Sequence, residues 1–489
     1  MKSACVSILA LLFSAAAEAQ ETFSAPVGER QLFLDDHGIA RIDDLRRTVH
    51  QPRKRGPVIR PDQPWEAALQ TRCAPAWDEA TKLWKLWMLT STPVEGVAGT
   101  TYAESADGVN WTKPILHQWK FRESSENNFI AVEPDSAWPG NAMENVVYDP
   151  DDPDPQQRFK GFLGAFGRQP IVSPDGIHWK KLDVAPLPSQ DESNLSYDRQ
   201  RRTFIATLKT GGPFGRSHAI WTSTDFRHWT NTGVLFHADE ADQRLAREHI
   251  QARLADHNLQ QPRYHDPADY NADIYNVGIF RYEGAYIALP AVYHATGKIP
   301  IGNTDGFHLI QLASSRDLLS WGRIADRQTW IGPSDVRDGA FDLTQLLPPS
   351  APILRDDELW FYYTGLKYRV PPDQPDPGGI GAICLAVLRR DGFVSLDAAS
   401  QPGFLNTKPF CWSGGRLLAN FEAGDHGELV AEVLDQDGQV IARSQSLTGD
   451  QTQGEFYWND GLPESLVGQQ VSLRFTLRSA SFYAWWLAE

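Results

Sequence analysis

Short runs of alternating or continuous apolar residues recur along most of the chain, at 83–89, 158–162, 203–208, 285–293 and 359–363. They are rich in aromatic and β-branched residues, the composition and period of β-strands. Turns rich in acids or glycine precede them, such as Asp149-Pro150-Asp151-Asp152, Asp198-Arg199-Gln200, Glu283-Gly284 and Asp356-Asp357. Segment 236–262 breaks this rhythm, and its helical spacing predicts a surface helix inserted between strand units. Beyond about Leu396 the pattern changes to a smaller set of strands at 427–434, 440–444 and 470–477, ending in Ser481-Phe482-Tyr483-Ala484-Trp485-Trp486. The second set predicts a separate β-sandwich over 401–489, serving as a brace or, alternatively, as a carbohydrate-binding module.

One motif repeats in register with the first set of strands. Ser-x-Asp-x-x-x-Trp occurs as Ser105-Asp107-Trp111, Ser173-Asp175-Trp179, Ser223-Asp225-Trp229 and Ser315-Asp317-Trp321, with a degenerate fifth copy at Arg389-Arg390-Asp391-Gly392. Successive aspartates lie 68, 50, 92 and 74 residues apart, which suits four-stranded sheets with loops of unequal length. Each copy reads as a turn: Ser and Asp bond the turn backbone, Gly108 or Gly176 takes a positive φ, and Trp starts the next strand and packs between sheets. Five such units predict an all-β fold, a five-bladed β-propeller over 29–397.

The first residues follow a different logic. Lys2, the apolar run 6–13 and Ala17-Glu18-Ala19 have the order of a secretory signal peptide over 1–19, with a mature chain from about Gln20. The run is shorter than the roughly 20 residues a membrane helix needs, so no membrane span is expected and the protein is expected to be secreted or periplasmic. Downstream, Cys73, Cys384 and Cys411 remain; Cys384 with Cys411 is the pairing considered, against three free thiols. The formal net charge of −16 argues against nucleic acid, whose phosphates need clustered cations. The 17 Trp and 14 Tyr fit sugar faces but equally fit packing between sheets.

Five units with Ser-x-Asp-Gly-x-x-Trp turns, a signal peptide and a C-terminal sandwich resemble the clan of family 32 and family 43 glycoside hydrolases. The resemblance is one of architecture. The family 32 motifs Asn-Asp-Pro-Asn, Arg-Asp-Pro and Glu-Cys are missing, and His265-Asp266-Pro267 echoes one of them in a different blade. It implies a carbohydrate substrate and two carboxyl groups, one protonated to serve the leaving oxygen and one ionised as base or nucleophile.

Acids just before innermost strands should converge on one funnel. Reading back from the turns, the catalytic candidates are Glu66, Glu144, Asp191, Glu192, Asp273 and Asp338, with Glu144 and Asp273 foremost because apolar strands follow them directly. His265, His294, Asp35, Asp36 and Asp342 are candidates for binding substrate. No phosphate loop or metal motif occurs, so no cofactor is expected, a calcium or similar ion at the funnel floor being the alternative. The expected function is a secreted glycoside hydrolase acting on an oligo- or polysaccharide. A non-catalytic carbohydrate-binding propeller and a polysaccharide lyase are the alternatives.

Overall fold

The computed structural model describes residues 23–133, 142–300, 302–336, 339–373, 376 and 378–489. The signal-peptide expectation over 1–19 and the candidate Asp338 lie outside the described residues. The chain divides into two compact units: 32–35 with 47–395, and 23–31 with 36–46 and 396–489. Among the described residues no helix is long and apolar enough to cross a membrane.

In the larger unit five antiparallel strand groups follow one another. The first centres on Leu83–Ser91, which pairs with Ala68–Gln70 and Ala76–Asp78 on one side and Ala98–Ser105 on the other. The second runs Met143–Tyr148, Phe159–Leu163, Gly167–Ser173, Trp179–Lys181. The third runs Ser193–Asp198, Thr203–Gly212, Gly215–Ser223, Thr230–Phe236. The fourth runs Asn271–Tyr282, Ala285–Lys298, Ala313–Ser315, Gly322–Arg323. In the fifth, Gln345–Leu347 and Ile353–Arg355 pair with Glu358–Leu366, followed by Gly381–Arg389 and then Arg53–Ile59. The outer strand of the last group thus comes from residues that precede the first.

The Ser-x-Asp turns show why the groups stack. Ser Oγ donates to Asp Oδ1 at 3.0, 3.1, 3.1 and 3.0 Å in the four copies. The same oxygen accepts the backbone N–H two residues on at 2.8 Å each time. Each Trp donates its indole N–H to the carbonyl three residues back, on Gly108, Gly176, Phe226 and Leu318. These four positions all have positive φ, so Phe226 and Leu318 hold a backbone that glycine adopts more easily.

With its N–H satisfied locally, each indole is free to bury its ring against the preceding group. Trp179 meets Trp87, Trp229 meets Phe162, Trp321 meets Phe236, and Trp111 of the first group meets Tyr362 of the fifth. The degenerate fifth turn uses Asp391 instead, which accepts from the Tyr282 hydroxyl of the fourth group at 2.7 Å. Fully burying one such large side chain contributes about 1.5–3 kcal/mol.

Segment 236–262 contains the helix Glu240–Ala255, begun by a capping box between Asp239 and Asp242. It is more than a surface element, because Ala246, Ile250 and Arg253 on one face are buried.

In the smaller unit the 19-residue strand Arg416–Leu434 pairs with the 19-residue strand Gln470–Ala488 and with Val440–Arg443 and Asp450–Glu455. The strand Gly403–Thr407 lies between Gln470–Ala488 and Ile39–Asp43. Residues 39–43, expected inside the unit that begins at residue 29, therefore belong to this sheet, with Ile42 opposite Leu405. The stretches 470–477 and 481–486 both lie in the single strand Gln470–Ala488. Phe23, Phe410, Phe475 and Trp485 pack around its buried face. Cys73, Cys384 and Cys411 are all free thiols, which removes the Cys384–Cys411 pairing.

Candidate active site

Residues at or near the first strands of three groups meet in a dry ion-pair ladder. Glu144 sits where the strand Met143–Tyr148 skips register, Glu192 directly precedes Ser193–Asp198, and Arg72 follows Ala68–Gln70. Arg72 grips Glu192 with two bonds, Nε to Oε2 at 2.6 Å and Nη2 to Oε1 at 2.7 Å. Its Nη2 also lies 3.9 Å from Glu144, whose other oxygen is 2.7 Å from Arg168 Nη2. Asn276 Nδ2 donates to Glu192 at 3.1 Å.

Neither arginine is more than 1% exposed, so the pairs exist in low dielectric and removing one partner would strand a buried charge. Burial pushes the Glu144 carboxyl above its ordinary range, against the pull of Arg168. Burial acts on Glu192 in the same sense, but the charge and hydrogen bonds of Arg72 outweigh it and hold Glu192 at about 2.

Above this ladder a cleft of about 890 Å³ is lined by Asp191, Lys209, Arg216, Asp273, Asn303 and Thr304, among others. Asp273 Oδ2 accepts from Arg216 Nη1 at 2.9 Å, while its buried Oδ1 has no hydrogen-bond partner among the described residues. Burial raises the Asp273 pKa, partly opposed by Arg216. Gly215, at φ 118°, keeps room for this carboxylate, since a Cβ there would stand 3.0 Å from Oδ2.

Asp191 is the cleft's other acid. Its backbone is held at φ 95°, a conformation that costs a side-chain-bearing residue about 1–3 kcal/mol, and Arg168 Nη2 donates to its carbonyl. Lys209 Nζ lies 3.0 Å from its carboxylate and 4.0 Å from the centre of the Tyr275 ring. Arg216 lies 5.2 Å from the same ring. Asp191 and Asp273 therefore share one field, in which Lys209 acts on both.

The remaining candidates lie elsewhere. Glu66 pairs with Lys113 at 2.6 Å and accepts the backbone N–H groups of Asp62 and Gln63. Asp342 binds Lys54 at 2.7 Å and the Tyr363 hydroxyl at 2.8 Å. Asp35 faces Arg316 at 2.9 Å in a different cavity, and Asp36 is exposed in the smaller unit. His265 is exposed on a loop. His294 is buried between His249, 3.0 Å from its Nε2, and the Phe307 ring; burial holds its pKa at about 3. It is an uncharged packing residue and does not line the cleft. An acid ahead of a strand thus reaches the cleft only if its side chain turns inward, which spacing alone does not set.

The cations were missed by sequence reasoning: Arg72, Arg168, Lys209 and Arg216 neutralise every acid that converges here. Lys209 carried a readable signal, since a lysine ending the apolar stretch 203–208 is itself buried and needs a carboxylate, which Asp191 supplies. Among the described residues no three His, Cys, Asp or Glu side chains gather as a metal site.

No family model and no curated protein matches the chain. Solved structures similar to it include the Bombyx mori family 32 β-fructofuranosidase BmSUC1, at 10% identity over 89% of this chain and 94% of that one, TM-score 0.40. A family 43 arabinoxylan arabinofuranohydrolase from Bacillus subtilis, in complex with cellotetraose, aligns at 11% identity over 87% and 96%, TM-score 0.36. An N-acetylgalactosamine deacetylase from F. plautii, in complex with blood group B trisaccharide, aligns at 12% identity over 72% and 97%, TM-score 0.39. The neighbours thus include family 32 and family 43 glycoside hydrolases.

Proposed function

We propose that the chain is a secreted glycoside hydrolase in which the five strand groups close into a five-bladed β-propeller and the smaller unit is a β-sandwich. Ring closure is supported by the contacts: each group's turn packs on the group before it, and the first group's Trp111 packs on Tyr362 of the fifth. The cleft is the active centre and its ligand is a carbohydrate.

The observation that carries this reading is the pairing of unlike carboxylates in one cleft. Asp273 is buried, has a free oxygen and holds its proton more tightly than an ordinary aspartate; Asp191 is half exposed beside Lys209. Asp273 serves as the acid that protonates the leaving glycosidic oxygen. Asp191 serves as the base or nucleophile at the anomeric centre. Glu192 and Glu144 are positioning residues: through Arg72 and Arg168 they fix the strained Asp191 loop.

D273N and D191N, assayed on aryl glycosides and on plant, algal and bacterial polysaccharides, test this assignment. Turnover should fall by about 10²–10⁴-fold with glycan affinity little changed. Variants that keep full turnover would sink the catalytic assignment. Loss of binding alone, on a protein that turns over nothing, would favour a carbohydrate-binding propeller. That second reading draws on the ion pairs that already occupy both cleft carboxylates.

A further inference from the structure

A second cavity of about 260 Å³ lies on the other side of one strand from the cleft. In Thr304–Ile310, Thr304 lines the cleft while Asp305 and Gly306 line this cavity. Arg369 links the two: it lines the cavity, donates Nε to the Thr304 carbonyl at 3.4 Å, and lies 5.7 and 5.4 Å from the centres of the Tyr275 and Tyr293 rings. Its remaining partner is the amide oxygen of Gln345, at 3.1 Å. Every one of these partners is neutral.

Arg253 faces the same cavity from the last turn of the helix and is 2% exposed. Its Nε and Nη2 donate to the Gln260 carbonyl at 3.0 and 2.6 Å, and Nη2 also to that of Leu343 at 2.6 Å. Nη1 lines up with no acceptor among the described residues. The nearby carboxylate, Asp305, is already committed to the backbone N–H groups of Arg263, Tyr264 and Gly306. At the rim Arg263 and Asp373 neutralise each other at 3.1 Å. Among the described residues neither guanidinium has a carboxylate at ion-pair distance; Arg253 is buried and Arg369 partly so, and a buried cation in that state is costly unless an anion answers it.

We propose that this cavity is an oxyanion subsite, in which Arg253 and Arg369 hold the carboxylate of a uronic acid or the sulfate ester of a sulfated sugar. Resting on the carbohydrate reading above, it makes the ligand an acidic glycan whose adjoining sugar lies in the cleft. The planar guanidinium fork matches both oxyanions, and Arg369 ties the subsite to the tyrosines beneath the cleft.

The test titrates the full chain at constant ionic strength with sodium sulfate, D-galacturonate, galactose 6-sulfate and D-galactose. The two acidic sugars should saturate, and their relative affinities say whether carboxylate or sulfate is preferred. R369Q and R253K should each weaken anion binding at least about tenfold, through the loss of a charge-assisted hydrogen bond. Should R253K lose its melting transition, R369Q is read alone. Saturation by none of the anions, or by R369Q as by the unaltered chain, overturns the subsite. Cleavage of neutral glycans with no preference for acidic ones also overturns it and leaves the proposed function standing. Sulfate binding that depends on Arg369, on a protein that neither binds nor cleaves any glycan, overturns the carbohydrate reading instead.

Discussion

In the four Ser-x-Asp turns the Ser Oγ to Asp Oδ1 distance is 3.0 or 3.1 Å, whereas no two of the acids at the starts of the strand groups have the same surroundings. Glu66 is tied to Lys113, Glu144 to two arginines, Glu192 to Arg72 and Asp273 to Arg216. The Ser, Asp and Trp bonds of a turn lie within seven residues, so the same letters give the same bonds wherever they occur, even where a distant side chain also reaches the turn backbone, as Trp87 does at Gly176. The acids ahead of strands answer to side chains dozens of residues away: burial raises the pKa of Glu66, Glu144 and Asp273, while Arg72 lowers that of Glu192. Uniformity marks the scaffold, and divergence marks the place where chemistry is possible.

The sharpest test of that contrast sets D273N against D225N. The first should cost about 10²–10⁴-fold in turnover, while the second, confined to a turn, should leave turnover per folded molecule unchanged. Equal losses in both would erase the distinction. Next in size is R72M, which leaves Glu192 buried without its cation and should lower unfolding free energy by about 3–5 kcal/mol in denaturant titration. Because Arg72 holds Glu192 near 2 in the folded state, its contribution is present above the ordinary carboxylate range and lost as pH falls toward 2. R72M should flatten that part of the stability profile.

A smaller loss is expected from G176A, read as a melting shift. Its φ is 80° and a Cβ there would stand 2.6 Å from the Trp87 ring, so about 1–3 kcal/mol should be lost. Gly438, at φ 77° with nothing within 4 Å, provides the comparison, and G438A should cost only about 1 kcal/mol. Smallest is S173A, which removes the bonds from its hydroxyl to Asp175 and from Gly176 N–H, for about 0.5–1.5 kcal/mol. If S173A cost as much as R72M, the turns would be cooperative with the ladder rather than self-contained.

The strand groups and their turns were legible because both rest on short-range rules. A period of two along a strand and a Ser-x-Asp-x-x-x-Trp pattern need no knowledge of distant residues. The helix in 236–262 was legible for the same reason, although the burial of Arg253 was not. Of the candidate acids, the structure places Asp191 and Asp273 at the cleft and Glu144 and Glu192 on the arginine ladder. Their division into cleft acids and ladder acids was invisible, as were the arginines opposite them.

What the sequence by itself determined is the Ser-x-Asp repeat, its turns and the apolar strands beside them, because the spacing of residues within each short segment decides these. Only the tertiary structure decided that residues 39–43 pair with Gly403–Thr407, that Arg53–Ile59 completes the fifth group, and that Arg72 meets Glu192. Those outcomes depend on which buried charges and open strand edges find partners across hundreds of residues. In low dielectric a carboxylate's charge state is set by the cation it meets rather than by its neighbours in sequence.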